Sequence, residues 1–125
     1  MDFLRVDHVR LVITRIAAAL WLVALVYGSL APADDVQSAY VFGDFVLHAA
    51  GYFGLTVLLV LAQREPKIWI TAAVAALIGV VMEVLQGFTG DRTPQFTDVL
   101  ANTLGALLGA GFFWFRGCFR HSPPA

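Results

Sequence analysis

The sequence contains little cysteine and little charge, and both shortages narrow what the chain can be. Among its 125 residues there is one cysteine, so no disulfide can form within the chain. Only 14% of the residues are charged, against about 25% in ordinary soluble domains. The net charge of −1 provides no basic surface for nucleic acid. These shortages exclude a disulfide scaffold and argue against both a soluble domain and a nucleic-acid-binding protein.

Long apolar runs are abundant. Hydrophobic residues make up 59% of the chain, and they fall into four runs separated by prolines and charged residues. Each run has about 20 residues, enough for a helix to cross a hydrocarbon core of about 30 Å. The sequence therefore predicts an all-α membrane protein, a single domain over residues 1–125. We expect four transmembrane helices in an up-down bundle, at approximately 11–31, 42–62, 68–87 and 97–115.

The basic residues predict the orientation of this bundle. Seven of the eight lie on one side of the predicted membrane, and only Arg92 lies on the other. Because short cytoplasmic segments are enriched in Lys and Arg, both termini and the 64–67 turn are expected to be cytoplasmic. The segments 32–41 and 88–96 are then expected to face outward.

The first run has an alternative interpretation as a cleaved signal peptide. Arg15, the apolar run and Ala31-Pro32-Ala33 resemble such a leader with its small-residue cleavage site. The run is long for a leader, and Trp21 and Tyr27 lie inside it, so a retained helix is the favoured prediction. Cleavage would leave three helices in the same orientation.

Three of the predicted helices carry a polar stripe inside their apolar runs. Spacings of three or four residues place the members of each stripe on one helical face. The polar residues are Asp44 and His48, then Glu83 and Gln86, and finally Asp98 and Asn102.

The depths of these residues predict one shared site. In the expected orientation His48, Glu83 and Asn102 lie roughly 6–9 Å below the outer ends of their helices. Arg92 lies in the outer loop above them. An ionised group at the membrane centre costs about 2.5–3.5 kcal/mol, so the stripes are expected to face each other rather than lipid. We therefore expect an outward-facing polar site in which Glu83 meets His48, Asn102 or Arg92.

Structural roles compete with this interpretation. Asp44 and Asp98 begin their helices and can act as N-terminal caps or dipole partners. Gln86 and Asn102 can serve as interhelical hydrogen-bond partners, each contributing about 0.6–1 kcal/mol. Glu83 is harder to explain in this way, because such a contact does not need an ionisable group. A separate G-x-x-x-G, Gly105 to Gly109, predicts close approach of a neighbouring helix.

These motifs together resemble the VanZ-like family of bacterial membrane proteins. The resemblance runs from about residue 44 to residue 109, and its most specific part is the block from Arg92 to Gly105. Family members commonly carry Lys and Phe where this chain has Phe45 and Ala49, so any role of that lysine is absent. The family pattern matches these positions: Asp44, His48, Glu83, Gln86, Arg92, Asp98 and Asn102.

The resemblance implies a multi-pass protein of the bacterial plasma (inner) membrane. The family's namesake is associated with resistance to teicoplanin, a lipoglycopeptide that acts at the outer membrane surface. The implied function is cell-envelope or antibiotic resistance by binding an envelope lipid, a lipid-linked cell-wall precursor or a lipoglycopeptide. The expected partner is thus a membrane lipid or such an amphiphile, with no nucleic acid and no cofactor. A homo-oligomer is left open.

The main alternative is a membrane enzyme acting on an envelope lipid. Glu83 and His48 would form its acid–base pair, with His48 alternatively a metal ligand beside Asp44 or Asp98. No nucleophile motif supports this hypothesis. One histidine and three carboxylates on separate helices form no recognised metal-ligand pattern, so no metal site is expected. A proton-coupled carrier and a purely structural cluster are the remaining alternatives, and whether any reaction is catalysed stays open.

Overall fold

The protein consists of four long helices. The computed structural model describes residues 2–31, 41–90 and 93–120. The helices are α1 (Asp2–Leu30), α2 (Val41–Leu61), α3 (Ile68–Thr89) and α4 (Phe96–Arg120). Each contains a segment long and apolar enough to cross a membrane. The predicted all-α architecture with four spanning helices is confirmed, and the side on which the termini lie stays a prediction.

Two helices extend beyond their apolar runs. α1 begins at Asp2 rather than near residue 11, and α4 continues to Arg120 rather than ending near residue 115. Hydropathy marks where a helix contacts lipid, and a helix can continue into water with all its backbone hydrogen bonds intact. Apolar runs therefore predict the spans better than the helix ends.

We call the two ends of the bundle distal and proximal. α1 and α3 terminate at the distal end, and α2 and α4 begin there. The turn between α2 and α3 lies at the proximal end. Gln63 closes this turn, because its side chain donates to the Thr71 hydroxyl (2.7 Å) and accepts from the Lys67 N–H (3.1 Å). At the distal end α3 is terminated by Gly90 in the left-handed conformation (φ 75°).

α2 and α4 form the most extensive helix pair. A Cβ atom added at Gly105 would collide with the carbonyl oxygen of Ala49, and one at Gly109 would lie 2.8 Å from Cβ of Thr56. Only glycine permits this separation of the two backbones. The predicted close approach at the G-x-x-x-G is confirmed, and it brings the polar faces of α2 and α4 together.

α1 lies at the periphery. Within the described residues it contacts α2 and α3 but not α4. Its main anchor is Trp21, whose indole N–H donates to the carbonyl of Gly51 (2.8 Å) and whose ring packs against Gly54. Near the proximal end, Arg15 donates to the carbonyl of Ala62 at the end of α2 (3.2 Å).

Large apolar side chains cover the outside of the bundle, while several polar ones lie inside. Leu77 and Val23 are more than 60% exposed, whereas Asn102 and Thr56 are fully buried. This arrangement is the reverse of a water-soluble fold and suits a lipid surrounding. The polar residues of the bundle are thereby held away from lipid.

Candidate functional site

A hydrogen bond between α2 and α4 organises the polar side chains at the distal end. His48 lies on α2, one turn after Asp44, and faces Asn102 on α4. Nδ1 of His48 lies 2.9 Å from Oδ1 of Asn102, which is 1% exposed. Because Oδ1 can only accept, Nδ1 carries the hydrogen in this bond. Asn102 therefore fixes both the orientation and the tautomer of the imidazole ring.

The other ring nitrogen of His48 faces two carboxylates. Nε2 lies 3.6 Å from Oδ1 of Asp44 and 3.9 Å from Oδ2 of Asp98. One ligand atom from each of the three residues falls within 4.8 Å of the others. These three residues are called the Asp–His–Asp group. Sequence spacing indicated no metal-ligand pattern here, because the donors come from two helices whose pairing is not readable from spacing.

The two carboxylate oxygens of Glu83 on α3 have different surroundings. Oε2 accepts the backbone N–H of Gln95 (3.3 Å), immediately before α4 begins. Oε1 is buried and has no hydrogen-bond partner among the residues that the structure describes, and the whole residue is only 4% exposed. One oxygen thus holds the start of α4, and the other is a buried acceptor.

The expected contact between Glu83 and His48 is indirect. Glu83 is close enough to interact electrostatically with Asp98, His48 and Asp44. No hydrogen bond joins Glu83 to His48 in the part of the chain that the structure describes. The acid–base pair considered from the sequence is therefore not formed directly.

Glu83 and His48 line different cavities. Glu83 lies in an apolar groove of about 480 Å³ between α3 and α4. Its lining residues are Val80, Glu83, Val84, Gly87, Phe88, Pro94, Gln95, Phe96 and Val99. His48 and Asp44 instead line a cavity of about 200 Å³ between α1 and α2. Where the sequence predicted one shared site for His48 and Glu83, the structure places them in neighbouring compartments of one polar layer.

Gln86 has a structural contact. Its side-chain amide donates to the backbone carbonyl of Ser29 (2.8 Å), and the residue is buried. This bond joins the end of α3 to the end of α1, as expected of interhelical hydrogen-bond partners. Gln86 therefore stabilises the distal end beside the two cavities.

Tyr52 belongs to the site. Its spacing in the sequence puts it on the face of α2 that carries Asp44 and His48, but it was not among the predicted site residues. It lies one turn after His48, lines the same cavity as His48 and Asp44, and is 1% exposed. Its hydroxyl has no hydrogen-bond partner among the residues that the structure describes, and Glu83 lies within electrostatic range of it. The four-residue spacing from His48 is the signal that the sequence offers for this residue. Arg92, which was expected above this layer, lies outside the described residues.

The chain matches a known protein family. The model of the family described as VanZ/LLP1 matches residues 6–117. That range includes parts of all four helices and is wider than the block of motifs that carries the resemblance. No curated protein and no solved structure matches the chain significantly.

Proposed function

Because this chain belongs to the VanZ/LLP1 family, we propose that it is a resistance-associated protein of the bacterial plasma membrane that binds an envelope amphiphile. Both termini are cytoplasmic in this proposal, and the distal end faces outward. The distribution of the basic residues supports that orientation, since seven of the eight lie toward the proximal end.

The groove beside Glu83 is the main observation that supports binding of an amphiphile. Its volume of about 480 Å³ lies within the range of about 300–1,000 Å³ typical of small-molecule sites. Apolar side chains form nearly all of its lining, and Glu83 is the one charged residue among the described residues that line it. An acyl or polyprenyl chain can lie against the apolar wall while the carboxylate accepts a hydrogen bond from the head group.

The carboxylate of Glu83 favours a head group that carries hydrogen-bond donors. Its Oε1 has no partner among the described residues, and a buried acceptor left without one costs about 1–3 kcal/mol, or more when it is charged. A hydroxyl, amide or ammonium donor would remove this penalty on binding. Envelope lipids, lipid-linked cell-wall precursors and lipoglycopeptides share this combination of an apolar chain and a donor-rich head group. A teicoplanin-type lipoglycopeptide is the member that the family's resistance association favours.

The enzymatic alternative has less support from the geometry. It needs Glu83 and His48 to exchange a proton, and the two side chains line separate cavities without a direct hydrogen bond. The groove therefore favours a binding role, in which the amphiphile is held rather than converted.

The variant Glu83→Gln tests the role of the carboxylate. The amide oxygen of glutamine can still accept the Gln95 N–H, so the start of α4 should stay in place. The other carboxylate oxygen is replaced by an NH₂ group, which donates hydrogen bonds and cannot accept one from the head group. In a teicoplanin-susceptible bacterium, the variant should fail to protect while folding normally. Glu65→Gln, in the exposed turn at the proximal end, is the matched control and should protect as wild type does.

A steric variant tests the groove independently of charge. Val84→Phe fills the groove, whereas Val81→Phe adds the same bulk to an exposed position of α3 outside it. Teicoplanin and undecaprenyl phosphate are offered separately to the protein in nanodiscs, and binding is followed by tryptophan fluorescence. Val84→Phe should weaken binding of at least one probe tenfold or more, with Val81→Phe unaffected. Equal binding of both probes by wild type, Glu83→Gln and Val84→Phe would rule out the groove as the site.

A further inference from the structure

Asp44 and His48 of the second compartment, together with Asp98 of α4, form a group whose ligand atoms could hold a metal ion. We propose that the Asp–His–Asp group binds one divalent transition-metal ion through Oδ1 of Asp44, Nε2 of His48 and Oδ2 of Asp98. This goes beyond the proposed binding of an amphiphile in the groove, because it concerns other residues and another cavity.

The tautomer of His48 supports a metal ion at Nε2. Asn102 occupies Nδ1 as an acceptor, so the neutral ring presents the lone pair of Nε2 to the two carboxylates. A lone pair facing two carboxylate oxygens is repulsive unless a cation lies between them. Histidine ligands of metals characteristically donate their other N–H to a carbonyl or carboxylate oxygen, as His48 does to Asn102.

The distances from Nε2 of His48 to the two carboxylate oxygens also support a metal ion. A proton on Nε2 would draw an oxygen to about 2.7–3.2 Å, and the observed separations are 3.6 and 3.9 Å. Ligand atoms about 2.0–2.1 Å from a tetrahedral Zn²⁺ lie roughly 3.3–3.4 Å apart. The two separations from Nε2 exceed that value by only a few tenths of an ångström, and all three ligand atoms lie within 4.8 Å of one another. The side chain of Asp44 is 43% exposed and can rotate inward to close the gap.

The unpartnered hydroxyl of Tyr52 is an independent observation. Its side chain is more than nine-tenths buried and lines the cavity that His48 and Asp44 also line, yet its oxygen has no hydrogen-bond partner in the described parts of the chain. A water or head-group oxygen on the metal would give this hydroxyl an acceptor. Three protein ligands leave such a position open, as in metal sites that bind an exchangeable ligand.

The donor set indicates the class of ion. One imidazole nitrogen with two carboxylate oxygens suits Zn²⁺, Co²⁺ and Mn²⁺, whereas Mg²⁺ and Ca²⁺ prefer oxygen donors throughout. Glu83 adds a further carboxylate within electrostatic range. We therefore expect Zn²⁺ to bind more tightly than Mn²⁺, and neither Mg²⁺ nor Ca²⁺ to compete at equal concentration.

Direct metal binding tests the proposal. The full chain is purified in detergent, stripped with EDTA and titrated with Zn²⁺ by calorimetry and with Co²⁺ by visible absorption. We expect one ion per chain, with a Co²⁺ spectrum that Zn²⁺ abolishes. His48→Gln and Asp44→Asn should each weaken binding tenfold or more. Asp44 is half exposed, so Asp44→Asn keeps the test usable if His48→Gln fails to fold.

Matched controls separate this site from adventitious binding. His8→Gln removes another histidine, and Glu65→Gln removes an exposed carboxylate of the proximal turn; both should bind the metal as wild type does. Wild-type protein that binds no Zn²⁺, or that binds it no better than Asp44→Asn, would overturn the proposal. No amphiphile is present in this titration, so neither result bears on the proposal that the groove beside Glu83 binds an amphiphile.

Discussion

At the scale of single residues, each polar side chain of the layer has a different role. Asn102 positions His48, Gln86 joins α3 to α1, and one oxygen of Glu83 holds the backbone before α4. The periodicity of the sequence identifies the polar face of each helix. It cannot assign partners, because periodicity defines a face but not the residue opposite it. Partners depend on the rotation and height of each helix, which are set by packing.

Asn102→Ala measures what the bond to His48 contributes. The substitution removes the acceptor for Nδ1 and leaves a void in a fully buried position, so we expect a loss of about 1–3 kcal/mol in the free energy of unfolding. The matched control is Thr103→Ala, because in the described part of the chain the Thr103 hydroxyl bonds within its own helix, to the carbonyl of Val99 (2.8 Å). Thermal unfolding in detergent compares the two. Equal midpoints would mean that the bond between α2 and α4 adds no stability.

At the scale of the helices, glycines and one tryptophan determine how closely α4 and α1 pack against the two sides of α2. Gly105 and Gly109 admit the backbone of α4 on one side, and Gly51 and Gly54 admit α1 with Trp21 on the other. The G-x-x-x-G was recognisable in the sequence because both small residues lie in one helix. The contact of Trp21 was not, because its partner is a backbone carbonyl, which every residue has.

Gly105→Ala tests the closest approach in the bundle. The new Cβ would meet the carbonyl oxygen of Ala49, so the two helices must separate, and we expect destabilisation of roughly 2–4 kcal/mol. Gly111→Ala is the control: nothing lies within 4 Å of its Cβ position, and the better helix propensity of alanine should leave stability unchanged or raise it by about 0.5–1 kcal/mol. Equal thermal midpoints for the two variants would contradict the contact.

Trp21→Phe tests the anchoring of α1. Phenylalanine keeps an aromatic ring against Gly54 but cannot donate to the carbonyl of Gly51, so we expect a loss of about 0.5–1.5 kcal/mol. Trp114→Phe, at an exposed position near the end of α4, serves as the control and should be nearly neutral. Limited proteolysis between α1 and α2 would report the expected loosening, and cleavage at wild-type rates in Trp21→Phe would argue against this anchor.

At the scale of the whole molecule, the apolar runs and the family motifs predicted four spanning helices and the end at which the polar residues gather. The division of that end into two cavities was not predictable. It arises because α2 packs between α1 and α4, so that His48 opens toward α1 while Glu83 opens between α3 and α4. That arrangement is a property of the tertiary packing, and no local pattern encodes it.

Cysteine labelling tests the predicted orientation of the whole bundle. In a Cys118→Ser background, a single cysteine replaces Thr93 at the distal end or Glu65 at the proximal turn. An impermeant maleimide added to intact cells should label Thr93→Cys, and Glu65→Cys should react only after permeabilisation, because seven of the eight basic residues favour a cytoplasmic proximal end. The opposite labelling pattern would place the polar layer on the cytoplasmic side.

The pairing of α2 with α4 also has a consequence during synthesis. His48 and its partner Asn102 are separated by 54 residues, with α3 between them in the chain. At translation rates of about 5–20 residues per second, α2 enters the bilayer roughly 3–11 seconds before its partner is complete. During that interval Asp44 and His48 have no α4 against which to pack. We therefore expect α2 to stay beside the insertion machinery, away from bulk lipid, until the last helix has been synthesised.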